Sequence, residues 1–271
     1  GYDFINIFVC NYSYDIIIVC LAILYIGVYV DNLSEVEIRN SIFFNLKSML
    51  LSSNHSAVTI NNVKTEDTLV SIVSILNSYT YINKTDIKAI RKCAISMFNS
   101  EIIGKDSRFN SAVEVFTNLN SKISVENSKI EAKELVCMAN ENSNAFFDKV
   151  DIKSKGGLFN IYNNSILTLR NSLCDTKQKA FFLADKANLF ISKSKINSVY
   201  NNIFESEANC SVKIKESEFF SKLGSFAKIF GKASFDIETT KIKTFAFFCE
   251  IINFGKLYIR NSSIKNKKGC L

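Results

Sequence analysis

Asp106, Glu126, Asp148 and Arg170 follow one another at intervals of 20, 22 and 22 residues. In any structure with that period they fall on successive layers of one surface. Oxygen ligands so placed suit a hard cation, which makes Asp106, Glu126 and Asp148 candidate calcium ligands. Glu126 and Asp148 with Arg170 also form a candidate catalytic set, two carboxylates for proton transfer and a guanidinium to polarise a uronate. The simpler reading of the same residues is a rung-to-rung series of exposed salt bridges, each worth little by itself. The expectation is therefore no catalytic, metal or cofactor site, with this cluster as the alternative.

The rest of the reactive inventory is thin. Eight cysteines occur with no CxxC, and His55 is the one histidine. A structural zinc site wants four such ligands at close spacings, so a metal centre is not expected. Cys93, Cys137, Cys174 and Cys249 fall in or beside apolar columns, where cysteine acts as a small hydrophobe. Cys249 and Cys270 lie one period apart, give or take a residue, and form the disulfide candidate, for which the Cα atoms must stand about 4.4–6.8 Å apart. Asn54, Asn83, Asn163, Asn209 and Asn261 head Asn-x-Ser/Thr sequons and are glycosylation candidates, although sequons are frequent in so Asn- and Ser-rich a chain. No Gly-rich phosphate loop, GxSxG or nucleic-acid motif is present.

What must position these residues is a repeat. Starting at Ile38, an equivalent anchor recurs at Ile60, Ile82, Gly104, Val125, Phe147, Leu169, Ile191, Ile214, Ile237 and Ile259. Two positions earlier the residue is apolar in every repeat but that of Thr80, and one position later it is polar throughout. This alternation marks a half-buried strand. The chain is apolar again at +5, except at Thr65, and at +12, from Leu50, Ile72 and Ala94 through Phe181, Ile203, Phe226 and Cys249. Asn and Ser crowd the pair between anchor and +5, as suits a bend. Each repeat thus predicts two inward-facing strand segments parted by a polar turn. One repeat cannot bury its apolar side alone, so repeats stack. Parallel rungs ~4.8 Å apart would give a rod roughly 55 Å long. Asn recurs five positions before the anchor at Asn11, Asn77, Asn99, Asn120, Asn142, Asn164 and Asn209. That column predicts a left-handed corner and a ladder of side-chain hydrogen bonds.

The phrase in Val36–Phe43, Leu167–Cys174 and Leu257–Ile264, followed by a Lys-bearing turn and a second strand, resembles the coils of right-handed parallel β-helices of the pectin-lyase-like superfamily. The resemblance spans essentially the whole chain and rests on a loose pattern. It implies an all-β solenoid of about 11–12 coils. The alternative, a leucine-rich-repeat-like solenoid, wants Leu at −5 and Asn at +3; here those positions hold mostly Asn and Ser or Thr. Enzymes of the superfamily cleave acidic polysaccharides on an outer strand ladder. Its hydrolases use an Asp-Asp pair, and this chain has none.

Residues 1–30 are expected to form an N-terminal coil or apolar cap, and residues 31–271 the β-helix. The run Ile16 to Val30 would span only about 22 Å as a helix, short of a ~30 Å bilayer core. It fits the repeat better as a buried coil, with a short membrane or signal remnant as the other reading. Neither end shows a polar cap, hence the expectation of a segment of a longer protein or of end-to-end stacking. Residues 1–135 carry 12 Lys/Arg against 14 Asp/Glu, and residues 136–271 carry 21 against 12. A basic second half could attract an acidic glycan, although alternating charges more often keep a parallel ladder from repelling itself. Functionally, the sequence points to a non-enzymatic structural or adhesive scaffold, extracellular or at the cell surface. Its expected partners are other protein chains, by end-to-end or lateral stacking; nucleic acid is not expected. The alternatives are a polysaccharide lyase-like enzyme and a subunit of a large assembly.

Overall fold

The computed structural model describes residues 7–10, 13–16, 19–21 and 26–267, with side chains from residue 26 onward. The chain is an all-β parallel solenoid of about 11 coils of about 22 residues, with no helix among the described residues. It divides into two compact units, residues 1–133 and 134–271.

In the first unit, Glu35–Arg39, Ala57–Asn61, Tyr79–Asn83, Glu101–Lys105 and Lys122–Glu126 stack in parallel as a first face. Ser13–Ile16 pairs with Glu35–Arg39 in the same sense. The register aligns Ile38, Ile60, Ile82, Gly104 and Val125 in one column and Val36, Val58, Thr80, Ile102 and Ile123 in another. In the second unit, Asn144–Asp148, Ile166–Arg170, Asn188–Ser192, Ser211–Lys215, Ser234–Glu238 and Lys256–Arg260 repeat the arrangement. There the anchor column is Phe147, Leu169, Ile191, Ile214, Ile237 and Ile259. The columns found in the sequence are thus the inward-facing columns of the first face.

Most coils have three strands where two segments were expected, the +5 residue lying in a short strand of its own on a second face. In the coils of Ile60 and Ile82 the second and third strands run on as one, Lys64–Ser74 and Asp86–Met97. In the second unit this face consists of Asp151–Ser154, Leu173–Thr176, Lys195–Ser198, Glu218–Ser221, Lys241–Thr244 and Ser263–Asn266. The third face holds Leu135–Asn140, Phe159–Ile161, Phe181–Leu183, Phe204–Ser206, Ala227–Phe230 and Cys249–Ile252. Parallel strand ladders on every face set aside the leucine-rich-repeat alternative. On the third face the register pairs Phe181 with Phe204, and Phe204 with Ala227. The sequence columns place Ile203 and Phe226 there. The extra residue of the 23-residue coils lies in the turns 199–203 and 222–226, one residue longer than 177–180, so each column slips by one. Ile203 and Phe226 remain fully buried in those turns.

The corners explain the Asn and Ser. The residue two after the anchor has φ of 47–54° in all eleven coils, from Asn40 to Asn261. This left-handed corner suits Asn and costs Lys, Glu or Thr about 1 kcal/mol or more. Strand N–H groups donate back to the preceding coil, as Ala57 N does to Ser34 O at 2.9 Å. The left-handed residue turns its N–H forward instead: Asn62 N donates to Asn83 O and Asn171 N to Ser192 O, both at 3.1 Å. The next residue, usually Ser, is buried and works in both directions. Ser107 Oγ donates to Lys105 O at 2.6 Å and accepts from Thr85 N at 3.1 Å. Ser172 Oγ donates to Arg170 O at 2.5 Å and accepts from Val150 N at 3.2 Å. A hydroxyl with one proton and two lone pairs fills this place, and each such bond contributes about 1 kcal/mol net.

The Asn column five before the anchor does form a left-handed corner, at Asn77, Asn99, Asn120, Asn142 and Asn164. At Asn209 the left-handed residue is Ala208, and Asn11 lies outside the described residues. Rung-to-rung amide bonds run elsewhere, from Asn62 Nδ2 to Asn40 Oδ1 at 2.7 Å and from Asn83 Nδ2 to Asn61 Oδ1 at 3.3 Å.

Gly104 breaks the aliphatic anchor column for a reason of space. A Cβ there would lie 2.8 Å from Phe109 Cζ, so the ring of the second face occupies the room an anchor side chain would need. Gly104→Ile, although it restores the repeat consensus, should lower stability by about 1–3 kcal/mol through overpacking. Pairing it with Phe109→Val should recover most of that loss. A double-mutant cycle by thermal unfolding checks this, and additive losses would refute the shared-space account.

Candidate functional site

The first face is a regular ladder of five-residue strands, and its outward positions carry every residue of the candidate set except Asp106. In the first unit, Asp106 is the left-handed corner residue, φ 49°, and its N–H donates to Glu126 O at 3.2 Å. Glu126 points outward at the end of its strand with Oε2 3.7 Å from Lys105 Nζ. In the second unit, Asp148 pairs in register with Arg170. Asp148 Oδ1 accepts from Asn171 Nδ2 at 2.7 Å, and the Arg170 guanidinium lies 4.6 Å above the Phe146 ring. Each of these residues is engaged by a neighbour one coil away. Among the described residues no group of three or more His, Cys, Asp and Glu could hold a metal ion. His55 is exposed in a left-handed turn, φ 64°.

Two outward columns run along this face in the second unit. One holds Phe146, Thr168, Phe190, Lys213, Asp236 and Tyr258; the other holds Asp148, Arg170, Ser192, Lys215, Glu238 and Arg260. A shallow groove of about 280 Å³ follows them, lined by Thr168, Phe190, Lys213, Lys215, Asp236 and Arg260 among others. Lys213 Nζ stands 5.8 Å from the Phe190 ring centroid. Lys215 Nζ is 3.8 Å from Glu238, and Arg260 Nη2 meets both oxygens of Asp236 at 2.9 and 3.0 Å. Exposed pairs of this type contribute ~0–1 kcal/mol each, and exposed cation–π contacts about 0.5–1 kcal/mol. Their combined effect is to hold the side chains flat on the sheet. The face can present cations, carboxylates and rings in fixed order; among the described residues it offers no pair of carboxylates converging on one reacting atom.

Phe146 and Phe190 escape a reading of the sequence. The signal that could find them is an aromatic residue one before the anchor, an outward position where polar residues belong. Of the glycosylation candidates, Asn163, Asn209 and Asn261 are exposed, while Asn54 and Asn83 are half-buried. Asn54 Nδ2 donates to Asp31 Oδ1 at 2.6 Å. Cys249 is a free thiol whose pKa burial pushes up to about 12; its disulfide candidate Cys270 lies outside the described residues. Cys93, Cys137 and Cys174 are buried in the core, as expected of small hydrophobes.

No family model, curated protein or solved structure matches the chain.

Proposed function

We propose that the chain is a non-enzymatic β-helix scaffold of the right-handed, pectin-lyase-like kind, structural or adhesive, working at the cell surface or outside the cell. The observation that carries this reading is the commitment of the first-face carboxylates to ladder partners: Glu126 with Lys105, Asp148 with Asn171, Asp236 with Arg260 and Glu238 with Lys215. Parallel ladders around an apolar core supply stiffness; the outward columns supply a patterned surface. The pectin-lyase-like assignment is supported by the repeat phrase and by the parallel stacking, and exposed sequons agree with a secreted location. The competing reading, a polysaccharide lyase, keeps Glu126, Asp148 and Arg170 as its acid–base and polarising groups.

Incubation with polygalacturonate, with and without added calcium, separates the two. A scaffold gives no unsaturated product by ultraviolet absorbance and no new reducing ends. Turnover that needs calcium and disappears in Asp148→Asn would replace the scaffold with an enzyme.

A further inference from the structure

In the second unit, the corner that joins the second face to the third differs from the other two corners of the same coils. The N–H eight residues after the anchor donates to the preceding coil in the same way each time. Lys177 N donates to Ser154 O at 3.2 Å, Val199 N to Thr176 O at 3.1 Å, Lys222 N to Ser198 O at 2.9 Å and Lys267 N to Thr244 O at 3.1 Å. Lysine therefore returns to one point of this corner on alternate coils, at Lys177, Lys222 and Lys267, all exposed. Between them the turns expose apolar side chains: Tyr200 is 55% exposed, Leu223 46% and Phe247 63%. The turns are pressed together, since Leu223 N donates to Val199 O at 3.0 Å and a Cβ on Gly224 would lie 2.3 Å from Asn201 O. The four turns 177–180, 199–203, 222–226 and 245–248 contain no Asp or Glu. The other corners of these coils do carry acids, at Asp185, Glu207 and Glu216. On the adjoining third face Glu205 and Glu250 are paired with Lys179 and Lys228 at 2.7 and 3.4 Å.

We propose that this corner is a membrane-attachment edge. Tyr200, Leu223 and Phe247 enter the interfacial layer of a bilayer, and Lys177, Lys222 and Lys267 contact its anionic phospholipid headgroups. Aromatic and aliphatic side chains partition into that layer, and lysines beside them are drawn to anionic lipid. A lysine stem can also lie along the apolar tips while its ammonium reaches the headgroups. The occupant must be anionic, because two copies of this edge would set lysine against lysine with no carboxylate between them. It must also yield to a protruding corner, as a lipid surface does, where a folded protein would need a matching groove. An acidic peptide cannot add as a strand here, since the strands that flank these turns are paired on both sides. The edge lies apart from the first face, so it serves a scaffold and an enzyme alike.

The experiment uses the absence of tryptophan from the chain. Phe247→Trp places a fluorophore on the edge. Phe254→Trp is the control, at the corner between the third face and the first, where Phe254 is 84% exposed. Each is titrated with vesicles of phosphatidylcholine alone and of equal parts phosphatidylcholine and phosphatidylserine. Emission of Phe247→Trp should shift to the blue with the anionic vesicles, and that of Phe254→Trp should not. In co-sedimentation at physiological salt, Lys222→Glu should weaken binding to the anionic vesicles by about tenfold or more, as should Tyr200→Ser combined with Phe247→Ser. Lys186→Glu makes the same charge change across the width of the third face and should alter binding by less than about twofold, since exposed charges beyond a Debye length are screened. Circular dichroism of each variant confirms the fold. Binding to neither vesicle, equal binding to both, equal shifts at both tryptophan positions, or equal losses in Lys222→Glu and Lys186→Glu would each overturn the proposal. So would a blue shift without vesicles that grows with protein concentration, which would make a second copy the occupant, or one produced by poly-glutamate, which would make it an acidic protein.

Discussion

Phe204→Ala is expected to destabilise the second unit by about 3–5 kcal/mol, the range for deleting a buried aromatic ring. Phe204 is fully buried where the three faces converge. Its ring stacks on Phe181 at 5.0 Å, meets Phe226 edge-on at 5.0 Å, and lies 5.4 Å from Phe219 and 5.7 Å from Phe235. Phe181 belongs to the third face of the preceding coil, Phe219 to the second face and Phe235 to the first. A cavity at that junction has backbone ladders on every side. They cannot close in without breaking register, so relaxation recovers little and the loss should fall in the upper part of the range. Part of it is the ring–ring geometry, worth about 0.5–1.5 kcal/mol per good pair beyond burial. Phe204→Leu should keep more than half of the stability. Phe220→Ala, which removes an exposed ring from the same unit, should cost less than about 0.5 kcal/mol. Urea unfolding followed by far-ultraviolet circular dichroism reads all three, and a loss below about 1 kcal/mol for Phe204→Ala would remove the convergent core from the description.

The inward columns are legible in the sequence alone because burial imposes the same requirement at every coil. Ile38, Ile60 and Ile82 face the same interior, so the same residue type returns. The corner hydroxyls are equally periodic, yet Ser107, Ser128 and Ser172 reveal their role only once Oγ is seen bonding two coils. The second face is hidden because its strands in the second unit are four residues long and bring one large apolar residue inward, too few for an alternation to show. The slip at Ile203 and Phe226 is masked because these turn residues are themselves apolar and buried. Outward positions are less legible still. Nothing in the fold requires Phe146, Phe190 or Phe220, so no period announces them. The charge excess of the second half shows in the sequence; that Lys243 and Lys265 stand side by side shows only in the pairing register.

Ile237→Lys should abolish folding of the second unit, whereas Ile259→Lys should cost less than about 1 kcal/mol. The two residues are register neighbours in one anchor column, identical in type and in direction. They differ in cover. Ile237 has coils on both sides and is 0% exposed, while Ile259, in the last described coil, is 37% exposed. An ammonium placed at 237 would have neither water nor a carboxylate within the ladder, and burying an unpaired charge costs far more than one aliphatic contact returns. At 259 the four-carbon stem can lie over Ile237 while the charge reaches water. Soluble expression and thermal unfolding distinguish the two outcomes. Equal tolerance at both positions would mean that the anchor column is not a sealed core, and the stacking argument would fail with it. Equal damage at both would mean that Ile259 is covered in solution. Leu257 and Ile264, half-buried beside it, and Phe254, 84% exposed, would then be part of a contact with a further coil or a second chain. Sedimentation of the unmodified protein would show a second chain as a concentration-dependent increase in mass.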